Sequence, residues 1–431
     1  MPRPVNFPGV GRLIFLIILA SSMCNSVRAG DTAAPQSAPQ YRLIFSERAR
    51  IETWDNTIGL EKNAAAGNSC TRNRTSLMLQ WFPPARFEAT IKMTDEFRYY
   101  FVPESKPFTF DEIFVDQLYV KLNRLFDSTV TLTLGRQNMS FGEGFVIMDG
   151  GPLDGSRSGY FNAARLDYSP APTATFTMFY FYEQERDKIL PRINDQRKPM
   201  NDQPEEAFGV YFTGDFGRVN VQSYIIRKIT KKLDSDPSKN KYDVNTMGTR
   251  VVAPLVSKLT LTAEGACQFD RDAIGGYAYL SYQTGWRKYF PQVLTAGSLY
   301  LSGDDLKTGK TGGWDPLYGR WPKWSDSYIY TLKDEAGVAY WTNLFSLYAK
   351  MQFDINKDVK FTFDYHHLMA PEKPADREGR RRGELCIGKL SYQINKNISG
   401  HILWENFNPG TYYSPEADNY NWMRIEFMLN I

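Results

Sequence analysis

Apolar and polar residues alternate along this chain in short bursts with a period of two. In 41–55, Leu43, Phe45, Ala49 and Ile51 fall on one face, and Ile44, Ser46, Arg48, Arg50 and Glu52 on the other. In 71–81, Thr75, Leu77, Leu79 and Trp81 oppose Arg72, Arg74, Ser76, Met78 and Gln80; in 86–97, Phe87, Ala89, Ile91 and Met93 oppose Glu88, Thr90, Lys92 and Thr94. Side chains of a strand point alternately to its two faces, so each burst predicts a strand with one greasy and one charged side. About eighteen such segments can be marked: 41–55, 71–81, 86–97, 112–125, 129–138, 162–169, 173–185, 206–215, 218–228, 242–253, 257–269, 275–285, 291–302, 342–355, 358–369, 384–395, 397–407 and 420–431. Each is near the roughly 9–11 residues that a tilted membrane-spanning strand requires.

The connections carry as much information as the strands. After odd-numbered segments the gaps are long and polar: 56–70, 98–111, 139–161, 186–205, 229–241, 303–341, 370–383 and 408–419, with the gap after the eleventh segment a short exception. After even-numbered segments they are brief: Phe82-Pro-Pro-Ala85, Phe126-Asp127, Pro170-Ala-Pro172, Phe216-Gly217, Pro254-Leu255, Asn356-Lys357 and Lys396. This predicts an all-β, antiparallel, up-and-down transmembrane barrel with long external loops and tight periplasmic turns. A sandwich has no reason to alternate in this way, and no internal repeat supports a propeller. The last segment fits, with Met423, Ile425, Phe427, Leu429 and Ile431 on one face and Trp422, Arg424, Glu426 and Asn430 on the other. It ends in Ile431 rather than the aromatic residue usual for outer-membrane barrels.

A lysine or arginine on a barrel's lipid face costs about 2–4 kcal/mol at the bilayer midplane, so the charged rows must face the lumen. The same parity places Lys121, Arg165, Arg250, Lys258, Lys350, Lys360, Lys389 and Arg424 inside, with Asp167, Glu264, Asp354, Asp364, Glu405 and Glu426. The first two strands bring Arg48, Arg50, Arg72 and Arg74 together without equal acids nearby in sequence, a cluster suited to gripping carboxylates. The competing reading is that inward charges pair with one another and hold wall and loops. Arg136 shares parity with the lipid-facing Val130, Leu132 and Leu134, so it lines the pore only if the chain kinks at Gly135.

The N-terminal residues read as a secretory leader: Arg3 and Arg12, then the apolar run Leu13–Ala20, then Val27-Arg-Ala29 before Gly30. The expected organisation is a signal peptide over 1–29, a flexible lead-in over 30–40 and a barrel over 41–431. The apolar run is too short for a spanning helix. The mean hydropathy of −0.44 resembles that of a soluble protein, as alternating strands allow. Aromatics at 15% suit interfacial girdles. The formal charge of +3 disappears with the leader, which carries Arg3, Arg12 and Arg28 and no acid. Preference for an anionic partner must then come from where charges sit. Cys24 leaves with the leader; Cys70, Cys267 and Cys386 make no disulfide framework.

Gly135-Arg-Gln137, Phe141-Gly142 and Arg157-Ser-Gly-Tyr-Phe-Asn-Ala-Ala-Arg165 resemble the central motif of the alginate export family, outer-membrane β-barrel porins of Gram-negative bacteria. Leu299–Asp305, Asp315-Pro-Leu-Tyr318, Trp341–Leu344 and Trp404–Gly410 resemble later motifs of that family in order and spacing. The resemblance implies an eighteen-stranded pore passing an anionic uronic-acid polymer by passive diffusion through an arginine-rich constriction. It carries over Arg136 and Arg157 or Arg165; Arg48, Arg50, Arg72 and Arg74 rest on parity alone.

Little points to chemistry beyond transport. His366 and His401 fall inward and His367 outward, with no nucleophile elbow and no metal spacing near them. Asn73-Arg-Thr75 and Asn138-Met-Ser140 match a glycosylation pattern by chance in such a barrel, and Arg377–Gly383 is a basic external loop. The expectation is a non-enzymatic channel without metal or cofactor, exporting an alginate-like polyuronate through a lumen lined by Arg48, Arg50, Arg72, Arg74, Arg136, Arg157, Arg165, Arg250, Lys121, Lys389 and Arg424. Its expected partners are that polysaccharide, outer-membrane lipid and lipopolysaccharide, and periplasmic export components; nucleic acid is not among them. The rivals are a general or nutrient-specific porin, and a barrel enzyme using His366 or His401.

Overall fold

The structure, a computed structural model, describes residues 40–431 apart from 57–59, 61–67, 84–85, 106–107, 127, 149–158, 196–199, 234–235, 237, 288, 306, 308, 310, 320–323, 329–330, 333–340, 374–376 and the side chains of 109–111. Its strands are β1 (Tyr41–Asp55), β2 (Asn68–Trp81), β3 (Phe87–Val102), β4 (Thr109–Leu125), β5 (Val130–Gln137), β6 (Ile147–Met148), β7 (Phe161–Ala171), β8 (Ala174–Glu183), β9 (Arg192–Ile193), β10 (Glu205–Phe216), β11 (Val219–Thr230), β12 (Tyr242–Val256), β13 (Leu259–Gln268), β14 (Ala273–Gln283), β15 (Val293–Leu301), β16 (Tyr318–Gly319), β17 (Leu344–Asn356), β18 (Val359–Met369), β19 (Arg381–Gln393), β20 (Ile398–Pro409) and β21 (Tyr420–Asn430). Three of these, β6, β9 and β16, are two-residue pieces within loops.

The other eighteen pair antiparallel with their neighbours in chain order, and β21 returns to β1. The seam runs from Ser46↔Asn430 to Asp55↔Asn421, and Phe45 and Ile431 exchange backbone hydrogen bonds of 2.9 Å each. The final isoleucine therefore completes the last rung. The sheet has no free edge, which is the condition for a β structure to cross a bilayer. Every expected segment is a strand. Several external ends run further than alternation indicated, with β3 reaching Val102 and β19 beginning at Arg381. Beyond the bilayer neither face needs to be apolar, so the period-two signal fades there.

Facing follows parity. Leu43, Ile51, Leu77, Leu79, Ile91 and Met93 are exposed, whereas Arg48, Arg50, Glu52, Arg72, Arg74 and Ser76 are buried. An apolar band thus surrounds a polar interior, as a bilayer demands. Lys258 and Lys360, expected inside, lie exposed at the short-turn rim. The alternation of long and short connections also has one reversal: β13 and β14 are joined by 269–272, but β14 and β15 by the longer 284–292.

Gly135 is the kink that re-aims Arg136. Its φ is +119°, open to glycine, and a Cβ there would sit 2.3 Å from the Leu118 carbonyl oxygen. Leu134 and Gly135 face out in succession, and Arg136 and Gln137 are both buried. Leu77→Arg, on the lipid face, is expected to cost about 2–4 kcal/mol, and Met78→Arg, one residue along on the lumen face, clearly less. Urea unfolding of the two variants from lipid vesicles measures the difference.

Candidate functional site

The lumen has two unlike halves. On β21, β1, β2, β3 and β4 the inward rows are charged. Strand register sets Arg48 opposite Arg74 and Arg50 opposite Arg72, an arrangement that repels unless acids intervene. They do. Arg50 Nε donates to Glu426 at 2.6 Å, Arg72 approaches Glu52 at 3.3 Å, and Arg74 donates to Glu96 at 2.5 Å and to Asp116 at 3.2 Å. Lys92 reaches Asp116 at 2.7 Å, and Arg424 Nε donates to Glu52 at 2.8 Å. Arg50, Arg72 and Arg74 thus sit in a network with their own carboxylates, which corrects the expectation of a cluster without local acids. Glu426 lies 376 residues from Arg50 in sequence, and only closure of the barrel joins them.

The opposite half, β10 to β18, is aromatic. Tyr211 stacks on Tyr224 with centroids 5.4 Å apart, Tyr277 on Tyr279 at 6.2 Å, and Tyr348 on His366 at 5.1 Å. Two external loops fold inward onto this half. In the first, between β5 and β7, Phe141 stacks on Tyr211 at 4.3 Å, while Glu143 accepts from Tyr279 at 2.5 Å and from Arg250 at 3.3 Å. Gly142, with φ +55°, lies so close to Arg250 that a Cβ would come within 2.9 Å of its side chain. In the second, between β15 and β17, Asp315 is fully buried and accepts from Lys228 at 3.2 Å and Tyr242 at 3.3 Å. Lys228 also meets Glu205 at 3.0 Å. The loops join through the parallel pairing of β16 with β6 and through the Trp341 indole N–H, which donates to the Gly319 carbonyl at 2.5 Å.

Further along the second loop, a turn crosses to the charged half. Glu405 on β20 accepts from the Ser325 hydroxyl at 2.6 Å, from the amides of Asp326 and Ser327 at 2.9 and 3.2 Å, and from the Ser327 hydroxyl. A buried wall carboxylate thereby gathers the donors of the turn that precedes a helical segment at Tyr328. Trp324 stacks on His366 at 4.4 Å, and Asp326 accepts from Arg424 at 2.6 Å.

The residues singled out from sequence therefore separate. Arg48, Arg50, Arg72, Arg74 and Arg424 stand together on one wall. Arg250 is across the lumen, bound to the inserted loop. Arg165 pairs with Asp167 at 2.9 Å and lies 5.6 Å from the Phe141 ring. Arg136 is buried, donates two 2.9 Å bonds to Asp187 and lies 3.8 Å over Tyr160, so it ties the β8–β10 loop to the wall. Lys121 is half exposed and 3.9 Å from Glu88. Lys389 is partly buried and has no ion-pair partner among the described residues. Arg157 lies outside the described residues. Glu52 and Lys92 face inward as parity placed them, whereas the carboxylates Glu96 and Asp116, the lysine Lys228 and the lumen tyrosines escaped sequence reasoning. Inward parity of Tyr277 and Tyr279 was the available signal.

His366 Nδ1 is 3.0 Å from the Ser346 hydroxyl, and its other nitrogen is buried without a hydrogen-bond partner among the described residues, so no acid completes a relay. His401 pairs with Glu426 at 3.1 Å, and His367 with Glu384 at 3.2 Å.

No protein-family model and no curated protein matches the chain, so the motif resemblance to the alginate export family finds no support there. Solved outer-membrane porins do match. The chain is similar to Acinetobacter baumannii OccAB1 (12% identity, TM-score 0.60, 91% of this chain and 96% of that one) and to Pseudomonas aeruginosa OpdL (14%, 0.59, 91% and 98%). It is similar also to Pseudomonas aeruginosa OpdK, solved with vanillate (10%, 0.57, 90% and 98%). At such identities the likeness establishes the fold, that of an eighteen-stranded outer-membrane barrel.

Lys228→Met would leave Asp315 and Glu205 facing each other without a cation. The expected cost is about 3–5 kcal/mol, read by urea unfolding in vesicles. Single-channel conductance should rise as the second loop leaves the lumen.

Proposed function

We propose that this protein is a passive, substrate-selective outer-membrane channel for small carboxylate-bearing solutes, aromatic ones among them. The observation that carries the reading is the pairing of an arginine wall with a tyrosine wall across a lumen into which two loops fold. The charged wall presents Arg48, Arg50, Arg72, Arg74, Lys92, Arg98 and Arg424 against Glu52, Glu96, Glu112, Asp116 and Glu426, seven cations to five carboxylates, or six once Asp326 of the inserted loop is counted against Arg424. Guanidinium groups bind carboxylates through paired, charge-assisted hydrogen bonds. Tyrosine faces accept flat apolar bodies, and their hydroxyls serve polar edges.

The same chemistry would suit a polyuronate, whose repeating unit carries a carboxylate. Two pinned loops in the lumen favour short solutes over a polymer, and likeness to a structure solved with vanillate supports an aromatic acid rather than a polysaccharide. Arg48, Arg50, Arg72, Arg74 and Arg424 would guide the carboxylate, joined by Lys389 of β19, which has no ion-pair partner among the described residues. Arg136, Arg165 and Arg250 would hold the loops that set the width.

In planar bilayers, benzoate should interrupt current and pass more readily than a neutral sugar of similar size. Polyuronate fragments should become weaker blockers as they lengthen. Arg74→Gln with Arg48→Gln should lower benzoate affinity about tenfold or more. Indifference to benzoate, or equal passage of neutral sugars, would count against a carboxylate channel, and efficient passage of long polyuronate would restore the export reading.

A further inference from the structure

Asp326 is placed unlike the other carboxylates of the arginine wall. Glu52, Glu96, Asp116 and Glu426 stand on wall strands and their side chains are 1%, 4%, 0% and 11% exposed; Asp326 comes from the inserted loop and is 20% exposed. Its side chain is the most exposed of the five and covers Arg424, which is itself 0% exposed, through Nη1 at 2.6 Å, while the Nε of Arg424 is held by Glu52 at 2.8 Å. This is the geometry of a carboxylate ligand on a pre-oriented guanidinium.

The turn bearing Asp326 has several anchors besides that contact. Glu405 takes its hydroxyls and amides, Trp324 stacks on His366, and the Tyr328 hydroxyl lies 2.8 Å from that of Tyr413. A wall already carrying Glu52 for Arg424 has no evident structural need for a second carboxylate delivered on a loop.

We propose that Asp326 is a tethered counter-ion occupying the solute face of Arg424, which an incoming carboxylate must displace. It would act as a built-in competitor, lowering the dwell time of anions so that they bind and still leave. Conduction needs binding weak enough to release. The inference rests on the carboxylate-channel reading for its solute but not for its electrostatics, and the two can be tested apart.

Asp326→Asn keeps the size and the turn and removes the charge. In a KCl gradient across a planar bilayer it should shift the reversal potential toward anion preference, and benzoate should bind about tenfold tighter. Asp326→Glu should stay near wild type. Arg424→Gln should shift selectivity toward cations, and the double variant should return close to wild type, showing coupling between the two side chains. Heat-modifiable migration on gels checks that each variant is folded. An Asp326→Asn protein that matches wild type in both selectivity and benzoate affinity overturns the tether. A selectivity shift with no benzoate effect in either protein supports the counter-ion and instead overturns the carboxylate-solute reading. Equal changes for benzoate and a neutral sugar would show that Asp326 acts only on loop packing, and would also overturn it.

Discussion

A bilayer offers no water to a backbone amide, and that absence governs this molecule. Each peptide group in the apolar band must find a partner in the chain itself, so a sheet can cross only if it closes. The seam between β1 and β21 is where that requirement is met, and Ile431 closes it through reciprocal hydrogen bonds with Phe45. Once the cylinder is closed, every residue has an inside or an outside, and alternation along each strand becomes a statement about charge. The arginine rows can only face in.

Facing in creates a second problem. Antiparallel register puts Arg48 against Arg74 and Arg50 against Arg72, and a low-dielectric wall strengthens their repulsion. Glu52 on β1 itself and Glu426, Glu96 and Asp116 on β21, β3 and β4 relieve it, each placed within hydrogen-bond reach of a guanidinium. A small excess of positive charge survives, and an anionic solute could complete it. The wall is thus a structural lattice of paired charges.

The inserted loops share the same economy of contacts. Asp315, Glu143 and the serine-flanked turn at Asp326 are each met by wall side chains on different strands: Lys228, Arg250, Glu405 and Arg424. Several of these belong to motifs that drew attention in the sequence. Asp315-Pro-Leu-Tyr318, Trp341, Glu405 and Phe141-Gly142 are the pieces that hold loops inside the barrel. Their order along the chain resembled one porin family, yet what the geometry shows them doing is packing the loops against the wall.

Closed architecture, strand count and facing were legible from the chain alone, because lipid and water impose a period-two pattern that each strand must obey locally. The kink at Gly135 was legible too, since Arg136 would otherwise face hydrocarbon. The pairing of charges was not. Arg50 and Glu426 are 376 residues apart, and no local pattern says which carboxylate a guanidinium will meet. Nor could alternation show that two loops turn inward or that Asp326 lands on Arg424, because loops obey no periodicity. Those features depend on which strands closure makes neighbours and on side chains meeting across the lumen, and only the folded cylinder decides them.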